Sequence, residues 1–307
     1  MKDNKKKSVS PTNFVKLIFK DSFVYGAAGI LSKSLVILTF PLLARSYSIE
    51  DYGIIDLLYF MTNLLTTFFI FGQDSAIFRF FHIDNCNLKR SKMITGSVTL
   101  QIILSIAFIF SLWIIKAFFY ESLNISTKVS YLINIVLLSA PFGVVYANAQ
   151  AILRLTFKRI EFLILSLGFT ISNLIIVFFS TSISDPEIIF LFELHLFIWI
   201  IFGLLSAWYI KNWITIPDLP LVSKKMIFYG VPMGLITLIG TGQPFLERIV
   251  INQNMDPEAL GLYAAAAKIS LIITLLVGAF QNAFGPFLMS YYQKKDIMIS
   301  FNFLLKI

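Results

Sequence analysis

The chain has 307 residues, of which 57% are hydrophobic and only 14% charged, and its mean hydropathy is +0.81. A soluble domain needs more polar surface than that to cover its core, so the soluble classes are excluded. The formal net charge of +8 does not point to nucleic acid, because the basic residues lie in short loops between apolar runs and form no basic domain.

Apolar runs of about 20 residues, each able to cross a hydrocarbon core of roughly 30 Å, recur along the whole sequence. An outer-membrane barrel would show segments of about 10 residues with alternating polarity. The runs here are long and continuous, which predicts an all-α polytopic membrane protein.

In chain order, the Lys-rich start (1–21) has no cleavage site behind a short apolar core and reads as a retained cytoplasmic tail. Spans are predicted at about 22–45, 53–80, 93–119, 129–152, 161–181, 188–211, 227–251 and 259–292. Lys89, Arg90, Lys92, Arg154, Lys158, Arg159, Lys211, Lys224, Lys225, Lys294 and Lys295 fall in alternate loops, whereas the opposite loops are poor in positive charge. That bias predicts a cytoplasmic N-terminus. The single cysteine, Cys86, allows no disulfide framework. No loop exceeds about 15 residues and no GxxxxGK[ST] motif occurs, so no extramembrane catalytic or nucleotide-binding domain is expected. The last run, IMISFNFLLKI, is too short to cross a bilayer, which predicts a truncated chain; the alternative is a half-span at the interface.

The sequence repeats itself. Pro41-Leu42-Leu43-Ala44-Arg45 aligns with Pro244-Phe245-Leu246-Glu247-Arg248, then Glu50-Asp51-Tyr52-Gly53 with Glu258-Ala259-Leu260-Gly261. The register runs on to Gly72-Gln73-Asp74-Ser75-Ala76, opposite Phe280-Gln281-Asn282-Ala283-Phe284. Repeats that start from the same side are parallel, related by an axis along the membrane normal. The expected organisation is a complete six-helix bundle (22–212) and the start of a second (226–307).

Tyr229-Gly230-x-Pro232, Glu247-Arg248, the run from Asp256 to Tyr263, and Ala279-Phe280-Gln281 with Gly285-Pro286-Phe287 together resemble spans 7 and 8 of the bacterial polysaccharide flippase family. The opening from Ser32 to Leu58, with Gly72 to Phe81, resembles the family's first two spans. The similarity covers essentially the whole chain. It implies a MATE-like two-bundle fold and the flipping of undecaprenyl-diphosphate-linked oligosaccharide for O-antigen, capsule or exopolysaccharide. Family members usually have 12 to 14 spans, and this chain has fewer.

Ionisable residues within spans mark cavities by default. Lys33 and Lys268 each lie about 16 Å into a span at 1.5 Å per residue, too deep for easy snorkelling. In a two-bundle carrier both would line the cleft; the alternative is a lysine paired with a carboxylate. Arg248 offers the planar fork that suits a phosphate, or else anchors to lipid headgroups, which is the role favoured for its repeat mate Arg45. Lys33, Arg248 and Lys268 are therefore the candidate substrate-binding residues, with Arg45, Asp74, Arg79, Glu247 and Gln281 as gating or supporting ones. The resemblance puts Asp74 at a characteristic acidic position; a plain helix-end pair with Arg79 is the alternative. Gln73 and Gln281 are candidate interhelical glue. Glu193 and His195 are a weaker candidate pair for proton coupling.

No metal-ligand spacing and no cofactor motif is present. The expected partners are the lipid-linked oligosaccharide, the bilayer, a coupling ion (proton or sodium) and other polysaccharide assembly proteins. Rival readings are a MATE-type drug/cation antiporter, a membrane glycan polymerase or ligase, and an inactive remnant.

Overall fold

The computed structural model describes residues 11–270 and 273, apart from 82, 84, 85, 120–126, 218, 219 and 257. Its helices are α1 (Pro11–Ser46), α2 (Ile49–Ile70), α3 (Gln73–Phe80), α4 (Asn87–Phe119), α5 (Thr127–Leu155), α6 (Arg159–Thr181), α7 (Ile188–Ile210) and α8 (Lys224–Asn254). Residues 258–270, here α9, are also helical. Among the described residues there is no strand, and seven helices, α1, α2 and α4 to α8, are long and apolar enough to cross a membrane. The chain is an all-α polytopic membrane protein. The rest of the expected eighth span, and the run 297–307, lie outside the described residues.

Two boundaries differ from expectation. α1 begins at Pro11, so part of the presumed tail is helix. Proline is at home there, because the first turn needs none of its N–H groups. The second difference matters more. The run expected as one span from 53 to 80 is broken, with Phe71 (φ 41°) and Gly72 (φ 72°) both left-handed between α2 and α3. Glycine adopts that conformation without steric cost. The break is followed directly by the polar run Gln73-Asp74-Ser75, which opens α3 and is the sequence signal that a single span from 53 to 80 overlooks.

The turn at Ser46–Ile49 carries its own signals. Ser48 caps α2 by accepting from the Asp51 N–H at 3.0 Å, and Glu50 and Asp51 sit in the first turn where the helix dipole favours acids. Ser223 caps α8 in the same way, accepting from Met226 N.

α5 is central and packs against α2, α4, α6 and α7, while α1 lies on α6, and α8 lies along α2 and α3. One buried apolar cluster joins Ile77, Ile94, Ile152, Leu153 and Leu165; another joins Ile55, Leu132, Leu191 and Phe192. Polar side chains tie helices between these clusters, as is usual where lipid gives no hydrophobic drive to association. Asn148 Nδ2 donates to Gln101 Oε1 at 2.6 Å between α5 and α4, both buried, and the Ser32 and Ser166 hydroxyls meet at 3.2 Å between α1 and α6. Asn148→Leu should cost about 1 kcal/mol by stranding the Gln101 amide. A thermal midpoint equal to that of the parent protein would show that the pair contributes nothing.

Backbones approach closely at two places on α2–α3. A Cβ on Gly53 would sit 2.8 Å from Gly261 N on α9, and one on Gly72 would overlap the backbone of Gly230 and Gly234 on α8. Gly53 and Gly261 are the glycines that the internal repeat aligns, and they face each other across the contact.

Candidate functional site

Asp56 lies about two turns into α2, where Tyr52 and Tyr59 share its helix face. It is 1% exposed. A carboxylate so placed inside an apolar helix must be neutralised or paired. The partner is Arg248 of α8, 2% exposed, whose Nε donates to Asp56 Oδ2 at 2.7 Å. The Arg248 Nη1 donates to the Pro244 carbonyl one turn back at 2.8 Å. Its guanidinium lies over the Phe60 ring at 3.7 Å from the centroid, with the Tyr263 ring at 5.2 Å. A flat, weakly hydrated cation suits such an aromatic slot better than an ammonium would.

Lys268 of α9 reaches the same carboxylate, with Nζ 3.3 Å from Asp56 Oδ1. This contact is ionic and poorly aligned as a hydrogen bond, since Asp56 Oδ1 has no hydrogen-bond partner. Two cations thus share one carboxylate across α2, α8 and α9, which leaves the cluster formally one charge positive. Beside it, Glu247 accepts from the Tyr263 hydroxyl and, at 3.0 Å, from Gln243 Nε2.

Asp56 and Lys268 also line a half-open cavity of about 520 Å³ between α1, α2, α5, α6, α7 and α9. Deep in it, His195 Nδ1 lies 2.8 Å from Asn173 Oδ1, and the Trp199 indole N–H donates to His195 Nε2 at 2.9 Å. Because Nε2 accepts, the proton sits on Nδ1 and is donated to Asn173, which makes the ring neutral in this network.

The candidates read from the sequence are dispersed by the fold. Arg248 and Lys268 come together, each within reach of Asp56. Lys33 is exposed on α1, one turn along the same face from Val36 and Phe40, which line the cavity; it makes no ion pair among the described residues. Arg45 is exposed at the end of α1. Asp74 stands in the first turn of α3 and does not pair with Arg79, whose guanidinium lies 4.4 Å from the Tyr229 ring centroid of α8. Gln73 is buried at the α3–α8 contact, where a Cβ on Gly230 would come 2.9 Å from its Nε2. Gln281 lies outside the described residues. Glu193 and His195 are separated: Glu193 is exposed and accepts from the Tyr131 hydroxyl at 2.8 Å.

Asp56, the acid that organises the cluster, was not among the candidates. Its signal was available, as a carboxylate inside an apolar run. In the register that aligns Gly53 with Gly261, Asp56 corresponds to Ala264, so the second repeat carries no acid at this point.

Fold and site together define a multi-pass helical membrane protein with a buried three-charge cluster beside an internal cavity. A family model described as polysaccharide biosynthesis protein matches residues 18–291, and the chain belongs to that family. Among curated proteins it is 25% identical over 291 residues to an uncharacterized membrane protein of Haemophilus influenzae. It is 24% identical over 304 residues to protein 1 of the Lsg locus of the same organism. Each alignment covers 92% of this chain and 68% of the relative. No solved structure matches the chain significantly.

Proposed function

We propose that the chain carries undecaprenyl-diphosphate-linked oligosaccharide units across the bacterial inner membrane, from the cytoplasmic to the outer leaflet, for surface polysaccharide synthesis. The protein is then a carrier without catalytic chemistry, its N-terminus is cytoplasmic, residues 22–212 are its first six-helix bundle and residues 226–307 the start of a second. The observation that supports this most is the charge cluster of Asp56, Arg248 and Lys268, in which Asp56 and Lys268 line a cavity between membrane helices and Arg248 stands behind the shared carboxylate. A lipid diphosphate brings two phosphate charges into low dielectric and needs fixed cations to meet them. Lys33, exposed on the cavity-facing side of α1, supplies a third. A proton or sodium gradient is the coupling source consistent with a chain that has no nucleotide-binding motif.

The Asp56 carboxylate on the cavity wall favours a second reading, a drug/cation antiporter. Two cations already neutralise it, which disfavours an added cation.

The test is complementation of a strain lacking its polysaccharide flippase. The unsubstituted protein, in its natural full length, should restore surface polysaccharide, and Lys33→Ala with Lys268→Ala should abolish the restoration at equal membrane abundance. Full restoration by the double variant would sink the reading. Resistance to cationic drugs conferred without any restoration would favour the antiporter.

A further inference from the structure

A second cavity, of about 410 Å³, lies at the end of α8 away from Arg248, where α3 ends, α4 begins and the linker enters α8. The linker is held there by α4. Thr215 N donates to Thr95 Oγ1 at 2.9 Å, and a Cβ on Gly96 would overlap the Leu221 carbonyl. This docking carries the chain into α8 beside the first turns of α4, so that Lys225 and Lys92 line one cavity. Lys92 is half-buried and Lys225 exposed. Ser223 lines it too; its oxygen caps α8 by accepting from Met226 N, which leaves the hydroxyl proton to donate elsewhere.

Two ammonium groups and a hydroxyl around one cavity suit an anion. No acidic side chain is among the described lining residues. The segments 79–92 and 211–225, which build this end of the molecule, hold seven basic residues against two acidic ones. Asp84 and Asp218 are therefore too few to cancel the positive charge.

The rest of the lining narrows the kind of anion. Phe80, Ile83, Met93, Leu221 and Met226 make it apolar. Ile83 is 66% exposed, and Phe228, one turn along α8 from Lys225, is 86% exposed. Bare side chains of this kind beside lysines mark the level where charge and hydrocarbon meet, not a mouth in open water. A free phosphate would use the lysines and leave the apolar faces uncovered. An anionic phospholipid uses both, with its phosphate diester at the lysines and the start of its acyl chains on the apolar residues.

We propose that this cavity binds the head of an anionic phospholipid, such as phosphatidylglycerol, from the leaflet that holds the first turns of α4 and α8. The bound head ties α3 and α4, before the linker, to α8 after it, at the same end of α8 where Gly72 meets Gly230 and Gly234. The lipid is a structural ligand drawn from the bilayer, and this role does not depend on what the chain transports.

The experiment titrates the purified full-length protein in detergent with phosphatidylglycerol or with phosphatidylcholine of the same acyl chains. Bound lipid is counted by native mass spectrometry and the thermal midpoint is followed alongside. Phosphatidylglycerol should bind about tenfold more tightly, the scale of two lysines meeting one phosphate. It should also raise the midpoint, because a ligand of the folded state stabilises that state. Lys92→Gln with Lys225→Gln should erase both effects. Lys158→Gln with Lys211→Gln removes equal charge away from the cavity and should leave both in place. Should the first pair melt below the parent without lipid, Lys225→Gln alone decides, since it is exposed; it should lower the preference about threefold. Equal binding of the two lipids by the parent protein overturns the site. Equal losses in the two pairs of variants overturn it in favour of a general attraction to the charged face. A gain in midpoint matched by glycerol 1-phosphate overturns the lipid in favour of a free phosphate. Displacement of phosphatidylglycerol by undecaprenyl diphosphate at equal concentration overturns it in favour of a loading point for a carried lipid.

Discussion

Asp56→Ala should lower the stability of the folded protein by about 3–5 kcal/mol, because it leaves the Arg248 guanidinium buried without its carboxylate. The guanidinium lies over the Phe60 ring, 3.7 Å from its centroid, with the Tyr263 ring at 5.2 Å, so the stranded charge would be surrounded by aromatic faces and not by water. Asp56→Asn keeps the shape and one acceptor and should cost less. Adding Arg248→Leu to Asp56→Ala should recover much of the loss, since a well-packed apolar pair in lipid leaves no charge stranded. The measurement is the thermal midpoint of the detergent-solubilised protein across this set. Equal midpoints for Asp56→Ala and the parent protein would mean that Arg248 does not depend on Asp56.

Gly72→Ala should be nearly as damaging for two independent reasons. A left-handed φ of 72° costs an L-residue about 1–2 kcal/mol. The added methyl would also overlap the backbone of Gly230 and Gly234, forcing α3 away from α8. Gly240 on the same α8 helix is the control, because a Cβ there meets nothing within 4 Å. Gly240→Ala should be neutral or stabilising by up to about 1 kcal/mol, from helix propensity alone. If the two alanine variants melt together, the close approach of α3 and α8 is not a determinant of stability.

The predictions were best where one physical signal dominates. Unbroken apolar length marked the spans: every helix from α5 to α8 lies within three residues of its expected place, while α4 begins six residues earlier than expected. The repeat alignment paired Gly53 with Gly261 as equivalents but did not say that they meet; that contact is legible only in the structure. The charge cluster was half visible. Arg248 and Lys268 stood out as cations within spans, but nothing local says that they converge, since residues 248 and 268 meet only through a third helix. Asp56 was missed because the span was started at residue 53, which puts this acid in a first turn where the dipole welcomes it. The helix starts at Ile49, and the same residue is then two turns deep. The alternative reading of Asp74 and Arg79 as a helix-end pair does not hold: five apart they leave a common face, and the Arg79 guanidinium lies over Tyr229 of α8.

The unequal repeats have a mechanical consequence. Two seams among the described helices differ in kind: α2 against α8 is held by an ion pair, and the cluster that includes Leu43 of α1 and Ala264 of α9 is apolar. At the first, parting the helices would separate Asp56 from Arg248 and expose bare charges to hydrocarbon. At the second, the repeat places Arg45 opposite Ala264, and Leu43 and Ala264 belong to one apolar cluster. Lipid tails replace such contacts at little cost, because they are as apolar as the side chains. Parting α2 from α8 therefore carries an electrostatic cost that parting the apolar seam at Leu43 and Ala264 does not.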